Sequence, residues 1–268
     1  MSKMSFQILP VKIQDVPTLA GISAEAMETD SQTEMKGYGK KPFLMREDAL
    51  QSLPDELGNP KIRVIKAVAD NTGAIMGFCI WGFRELQPPE FPTVSKDDGS
   101  TSKQLDKVNA TISENKADVS VIRGTPEKEL AEEAQGRETD DPIARLERYT
   151  SRDLKEWMGT IMPEGVSCLF VIGLSVSPDF QRRGVGSALL KWGTDIADAH
   201  DGAFAWVHSS AGAWRAYEKA GFRTVRTLDV DLDEYAPVPA PADRYEGGKW
   251  GRYVFRYMVY GTPPQMGD

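Results

Sequence analysis

Cysteine and histidine are scarce in this 268-residue chain, which has two of each: Cys79, Cys168, His200 and His208. Both cysteines lie in apolar, strand-like runs. Two isolated thiols form no disulfide framework, which fits a reducing compartment. No Cys/His cluster has ligand spacing, so no metal is expected. Long hydrophobic runs are missing too, and Met1 to Ser5 has no signal-peptide core, so the expectation is a cytoplasmic protein with no membrane partner. Positive charge is in deficit, with 32 Lys and Arg against 40 Asp and Glu and a net charge of −8. That balance argues against a nucleic-acid surface and is compatible with amine-bearing substrates. Internal repeats are absent. With 40% hydrophobic residues the chain can build a sizeable core, and its length still suits one α/β domain carrying an insertion.

What is present is concentrated between residues 169 and 190. An apolar, β-branched run from Leu169 to Val176 stops at Pro178, which cannot donate to a sheet ladder. The segment Gln181-Arg182-Arg183-Gly184-Val185-Gly186-Ser187 then leads directly into a helical pattern reaching about Ala199. Two glycines let the backbone pass close to a ligand. The first turn of the helix offers unpaired N–H groups and the positive end of its dipole, which together make an anion site. Strand, basic glycine loop and helix read as a pyrophosphate cradle. A dinucleotide fingerprint would need a third glycine and an early position in the chain, and a Walker loop would need Gly-Lys-Ser/Thr. Neither requirement is met.

The spacing Gln181-x-x-Gly184-x-Gly186 resembles the acyl-CoA loop of the GNAT superfamily of N-acyltransferases. A second segment strengthens the likeness. A buried strand is expected over Gly202 to His208, followed by a short helix ending Tyr217-Glu218-Lys219-Ala220-Gly221-Phe222, similar to the family's Y-x-x-x-G-F. Ala213, Tyr217 and Ala220 share one helical face, and Gly221 suits a left-handed cap.

The resemblance implies an α/β GNAT fold, a mixed and mostly antiparallel twisted sheet flanked by helices, forming one domain over 1–268 with its core motifs at 165–222. It implies acetyl-CoA as co-substrate. Its pyrophosphate would lie on main-chain groups from Gln181 through Arg182, Arg183, Gly184, Val185 and Gly186 to Ser187, and its pantetheine arm along Leu174 and Val176. Gln181 has two readings, a cofactor contact or a brace within the loop. Ser210 stands where the family often has an asparagine that binds the cofactor arm, and Ala213 belongs to the same group of positions. Tyr217 matches the family's general acid, which would serve the departing thiolate. For the general base, a strand glutamate common in the family is missing. His208 is the candidate by its unperturbed pKa, with a water wire from Ser209 as the other option. Trp81, Trp157 and Trp206 have two readings, an aromatic wall of the acceptor cleft or, as is usual for tryptophan in such runs, core.

The activity implied is transfer of an acetyl group to the amine of a small molecule. The alternatives are protein or peptide lysine or N-terminal acetylation, and a non-catalytic acyl-CoA-binding protein. Acceptor identity, acyl length and oligomeric state are not readable.

Around the motifs, Phe6 to Pro10 reads as a strand, and Asp15 as the cap of a helix running through Met27. Segment 30–44 reads as loop or short helix. Ile62 to Ala69 and Ile75 to Phe83 form a hairpin about Asp70-Asn71-Thr72-Gly73. From Thr93 to Asp141 there are seven Lys and Arg against twelve Asp and Glu. Region 84–141 is therefore expected to be an acidic, solvated insertion. A helix is expected over Pro142 to Met158, and late strands over Thr224 to Asp231 and Arg252 to Val259.

Overall fold

The computed structural model describes residues 5–91 and 141–264. Most of the acidic insertion expected at 84–141 lies outside the described residues. Seven strands form one sheet in the order β1-β2-β3-β4-β5-β7-β6: β1 (Phe6–Pro10), β2 (Ile62–Ala69), β3 (Ile75–Arg84), β4 (Cys168–Val176), β5 (Phe204–Ser209), β6 (Arg223–Asp231) and β7 (Arg252–Tyr260). Every neighbouring pair is antiparallel except β4 and β5. The helices are α1 (Val16–Met27), α2 (Ser31–Lys36), α3 (Met45–Gly58), α4 (Pro142–Ile161), α5 (Val185–Asp198) and α6 (Trp214–Lys219).

Alternation along each strand sends side chains to opposite faces, and two layers of helices cover them. On one face, α1 and α3 pack on β2 and β3 through Leu19, Leu53, Phe78 and Ile80. On that same face α4 packs through Leu146, Trp157 and Ile161 against Phe170, Trp206 and Tyr257. On the other face α5 and α6 bury Leu189, Leu190 and Tyr217 against Trp81, Leu169 and Val207. Close approach of α5 depends on Gly193: a Cβ there would sit 2.3 Å from the Trp81 ring. The Trp81 indole N–H donates to the Leu189 carbonyl at 3.4 Å.

Local signals explain most helix ends. The Asp141 carboxylate accepts from the Ile143 amide at 3.1 Å, with Pro142 at the first helical position. Asp30 caps α2 by accepting from the Thr33 amide at 2.9 Å. Asp15 departs from the expected cap. Its carboxylate accepts from the Lys12 amide at 2.7 Å and pairs with Lys66 at 2.5 Å, fastening the α1 entrance to β2. The α3 helix was not anticipated from the sequence. It carries Pro54 in its interior and buries Ala49, Leu53 and Glu56.

Candidate active site

The site begins where two strands part. β4 and β5 are paired in parallel only from Cys168/Phe204 to Val171/Val207. Beyond that point β4 continues through Val176 beside β3, while β5 continues beside β7. The register between β3 and β4 steps from Ile80/Gly173 to Trp81/Val171, so Ile172 is an extra residue. Such a bulge bends a strand, and this one sits where the split opens. Burial changes there as well: Cys168 to Val171 are buried, whereas Ile172 to Val176 are half-buried. Leu174 and Val176 therefore lie on the stretch of β4 whose edge toward β5 is unpaired.

The cradle follows directly. Pro178–Phe180 form a single 3-10 turn, Gln181 to Gly184 are exposed, and α5 starts at Val185. Arg182 (φ 60°) and Gly184 (φ 85°) both take left-handed backbone, bending the chain so that the helix entrance faces outward. Among the described residues, no backbone acceptor is paired with the amides of Arg182, Arg183, Gly184, Val185, Gly186 or Ser187. Six consecutive N–H groups at the positive end of a 14-residue helix make a concave anion receptor. Added side chains leave it room: nothing lies within 4 Å of a Cβ at Gly184, and at Gly186 only a Val176 methyl does, at 3.7 Å. This donor set fits a diphosphate.

Side chains at the loop divide their tasks. The Gln181 carboxamide donates to the Val176 carbonyl at 3.1 Å, bracing the loop against the end of β4. Arg183 lies over the Phe180 ring at 5.9 Å. Val185 is buried as the hydrophobic anchor of the helix entrance.

Tyr217 and His208 lie on opposite sides of the sheet. Tyr217 sits on the α5 and α6 face, 4% exposed, edge-on to Phe222 at 5.8 Å. Burial pushes its phenol upward from the ordinary value, and the neighbouring Cys79 thiol adds to the effect. Cys79 is opposite Leu174 in the β3/β4 register, so the phenol lies near the unpaired stretch of β4. His208 sits on the other face, stacked between Phe255 at 4.8 Å and Tyr257 at 4.7 Å. Burial, with a smaller contribution from Arg226 and against the pull of Asp153, lowers its pKa to about 4. Its Nε2 has no hydrogen-bond partner among the described residues. At neutral pH the ring is uncharged and a weak base.

The three tryptophans take the core reading. Trp81 is a core residue under α5 rather than part of an acceptor wall. Trp157 and Trp206 are 4% and 2% exposed and belong to the α4 core. Ser210 directly follows β5 and is half-buried. Ala213 immediately precedes α6 and is half-buried against the Tyr217 cluster.

The sequence did not reveal three carboxylates that are tied to distant hydroxyls. Tyr253 donates to the Asp30 carboxylate at 2.7 Å. Glu34 accepts from Tyr245 at 2.9 Å and pairs with Arg244. Ser177 donates to Glu25 at 3.4 Å. The Asp30 and Glu34 contacts join residues more than 200 positions apart, beyond the reach of any local pattern.

No curated protein matches the sequence. Residues 135–222 match the acetyltransferase (GNAT) family. The fold is similar to that of mosquito arylalkylamine N-acetyltransferase-like 5b (16% identity, 95% of this chain and 99% of that one, TM-score 0.54). It is equally similar to an agmatine N-acetyltransferase (14%, 95% and 98%, TM-score 0.54). A Drosophila melanogaster polyamine N-acetyltransferase compares at 14%, 96% and 100%, with a TM-score of 0.53. Residues 135–222 thus carry a match to the GNAT acetyltransferase family, and the fold around them is similar to that of solved N-acetyltransferases.

Proposed function

We propose that the protein transfers an acetyl group from acetyl-CoA to the primary amine of a small molecule, by direct attack within the β4/β5 split. The observation that carries this reading is the row of six unpaired amides from Arg182 to Ser187, set at the end of a strand whose far edge is unpaired. Acetyl-CoA supplies an activated acyl carbon and a thiolate leaving group. The chain supplies placement. Loop amides hold the diphosphate, with Arg182 and Arg183 adding positive charge beside it. Main-chain groups of the β4 edge around Leu174 align the arm by strand addition. Placement of this kind converts a bimolecular encounter into a near-attack geometry.

Tyr217 is assigned to the departing sulfur. A phenol pushed upward stays protonated at every working pH, so its hydrogen is always available to donate. It is also a weaker acid than in water, so its main contribution is a hydrogen bond to the developing thiolate. His208 is assigned to the wall of the acceptor side, where its neutral ring, stacked with Phe255 and Tyr257, offers an apolar surface.

A small acceptor is favoured over an extended peptide by one feature. Asp30 and Glu34, on α2 and its cap, are tied by Tyr253, Tyr245 and Arg244 to β7 and the segment before it. On this reading the ties close the acceptor side, where an extended chain would need an open groove. The fold relatives named for arylalkylamines, agmatine and polyamines point to the same class. The test is product formation from acetyl-CoA with arylalkylamines, polyamines and lysine peptides. Acetylation of the small amines in preference to peptides is expected. A preference for peptides would overturn the acceptor assignment, and acetyl-CoA binding without any product would overturn the enzymatic one.

A further inference from the structure

Two guanidiniums share one indole, that of Trp214. Arg256 lies over the ring at 4.5 Å and Arg215 at 5.2 Å. Trp214 and Arg256 are half-buried, and Arg215 is exposed. On β6, β7 and the segment between them other arginines find carboxylates: Arg226 pairs with Asp153, Arg244 with Glu34 and Arg252 with Asp229. Among the described residues Arg215 and Arg256 pair with no carboxylate; Arg256 donates to the Val254 carbonyl at 3.4 Å. A chain of net charge −8 that leaves two neighbouring cations without an acidic partner presents them to an anion from outside.

The fold puts this group at the mouth of the strand split. β4 and β5 are parallel, so their carboxyl ends lie at the same end of the sheet, where open α/β sheets bind ligands. The chain leaves β4 at Val176 into the cradle, and leaves β5 at Ser209 into the segment that carries Trp214 and Arg215. Ser209 is opposite Arg256 in the β5/β7 register, as Val207 is opposite Met258. Val207 and Met258 both belong to the apolar cluster under α5, and alternation returns Ser209 and Arg256 to that face. Trp214 packs against the same cluster, which includes Val185, the first residue of α5. Amide row and arginine pair therefore flank one opening, the first from the β4 side and the second from the β5 side.

Resting on the acyl-CoA reading above, we propose that the side chains of Arg215 and Arg256, held on Trp214, bind the ribose 3′-phosphate of coenzyme A while the loop amides bind its diphosphate. Coenzyme A carries these two anionic groups on one ribose, so a protein that reads both needs two donor sets at one opening. A guanidinium presents a planar fork that matches a phosphate monoester. Each group is restrained over the indole face before the ligand arrives, so less side-chain freedom is lost on binding. The amide row alone does not distinguish coenzyme A from a form that lacks the 3′-phosphate; the arginine pair supplies that selectivity.

The experiment is calorimetric titration of coenzyme A, 3′-dephospho-coenzyme A and inorganic phosphate into the wild-type protein, Arg215→Met, Arg256→Met and their double variant. Methionine keeps an apolar stem against Trp214, and Arg215 is exposed, so its variant retains the fold; a melting curve accompanies each titration. The wild type is expected to bind coenzyme A at least about tenfold more tightly than the dephospho form. Each single variant should lose about three- to tenfold in affinity for coenzyme A and stay within about twofold for the dephospho form. The double variant should bind the two forms alike. Equal wild-type affinity for the two forms overturns the assignment, and phosphate heat that the double variant lacks would then give the pair to a free anion. Variants that weaken both forms alike, or that keep the full preference for coenzyme A, overturn it too. A wild-type protein that binds neither form overturns the acyl-CoA reading as well, a result distinct from equal binding of both.

Discussion

Val171 and Val207 are the last residues at which β4 and β5 face each other in register. Each is buried among the side chains of α5, at 7% and 2% exposure. One residue later, Ile172 bulges out of the β3 ladder and contacts both core clusters on the opposite face. The split is therefore held open from both sides, by valines wedged under α5 and by a bulge that turns β4 toward β3. It belongs to the packed core and does not depend on a loop.

Tyr217→Phe removes one oxygen and leaves the contact with Phe222 intact. We expect kcat to fall by about 10- to 100-fold, with little change in the KM for acetyl-CoA. Thermal stability should change by less than about 1 kcal/mol, because the hydroxyl has no hydrogen bond in the described structure. Steady-state kinetics together with a melting curve check both parts. Unchanged turnover would remove Tyr217 from the reaction.

Gly184 and Gly193 separate a conformational role from a steric one. Alanine at Gly184 meets no neighbour within 4 Å but must hold φ near 85°. It should cost roughly 1 kcal/mol and weaken coenzyme A binding as the amide row shifts. Alanine at Gly193 would place a Cβ 2.3 Å from Trp81, inside the core. It should cost about 2–3 kcal/mol, and any binding loss should track the loss of fold. Denaturant titrations paired with binding isotherms distinguish the two.

His208 should register in stability at acid pH. Its folded-state pKa, about 4, lies below its ordinary value of 6.5. Between these values the unfolded chain takes up a proton that the folded chain refuses, so stability present above pH 6.5 is lost as pH falls toward about 4. In His208→Gln that part of the decline should be missing. Melting temperatures of both proteins from pH 7 to pH 4 measure it; parallel curves would contradict the assignment. No limb of the activity profile near pH 6.5 should belong to this residue.

Asp153 accepts from both Arg226 and Tyr257 and joins α4 to β6 and β7. Replacing it with alanine leaves a buried phenol and a half-exposed guanidinium without their acceptor. The expected loss is about 2–3 kcal/mol, or a fall of roughly 4–10 °C in Tm. Because α4 supports the aromatic wall behind His208, the amine KM should rise more than the KM for acetyl-CoA.

The cradle was legible in the sequence because its determinants are local. A β-branched run, a proline stop, two glycines and a helix entrance are adjacent in the chain, and each acts through its own backbone angles. The hairpin β2/β3 and the late strands were legible for the same reason. The α3 helix was not, because Pro54 interrupts its pattern and its buried side includes Glu56. Asp15 looked like a cap, yet its partner Lys66 is 51 residues away on β2. At the site, Tyr217 could be placed by its motif. The environment of His208 could not, because Phe255 and Tyr257 reach it only through the β5/β7 pairing. Asp30 and Tyr253, 223 residues apart, are joined solely by the fold.

The account depends on the loop amides meeting a diphosphate, and calorimetry reads this most directly. Coenzyme A titrated into the wild-type protein should give saturable one-site heat. Pantetheine, which lacks the diphosphate, should bind at least about tenfold more weakly, and Gly186→Glu should weaken coenzyme A binding to a similar degree by placing a carboxylate beside the amides. Equal affinity for pantetheine and coenzyme A, or a Gly186→Glu protein that binds coenzyme A as the wild type does, would contradict it.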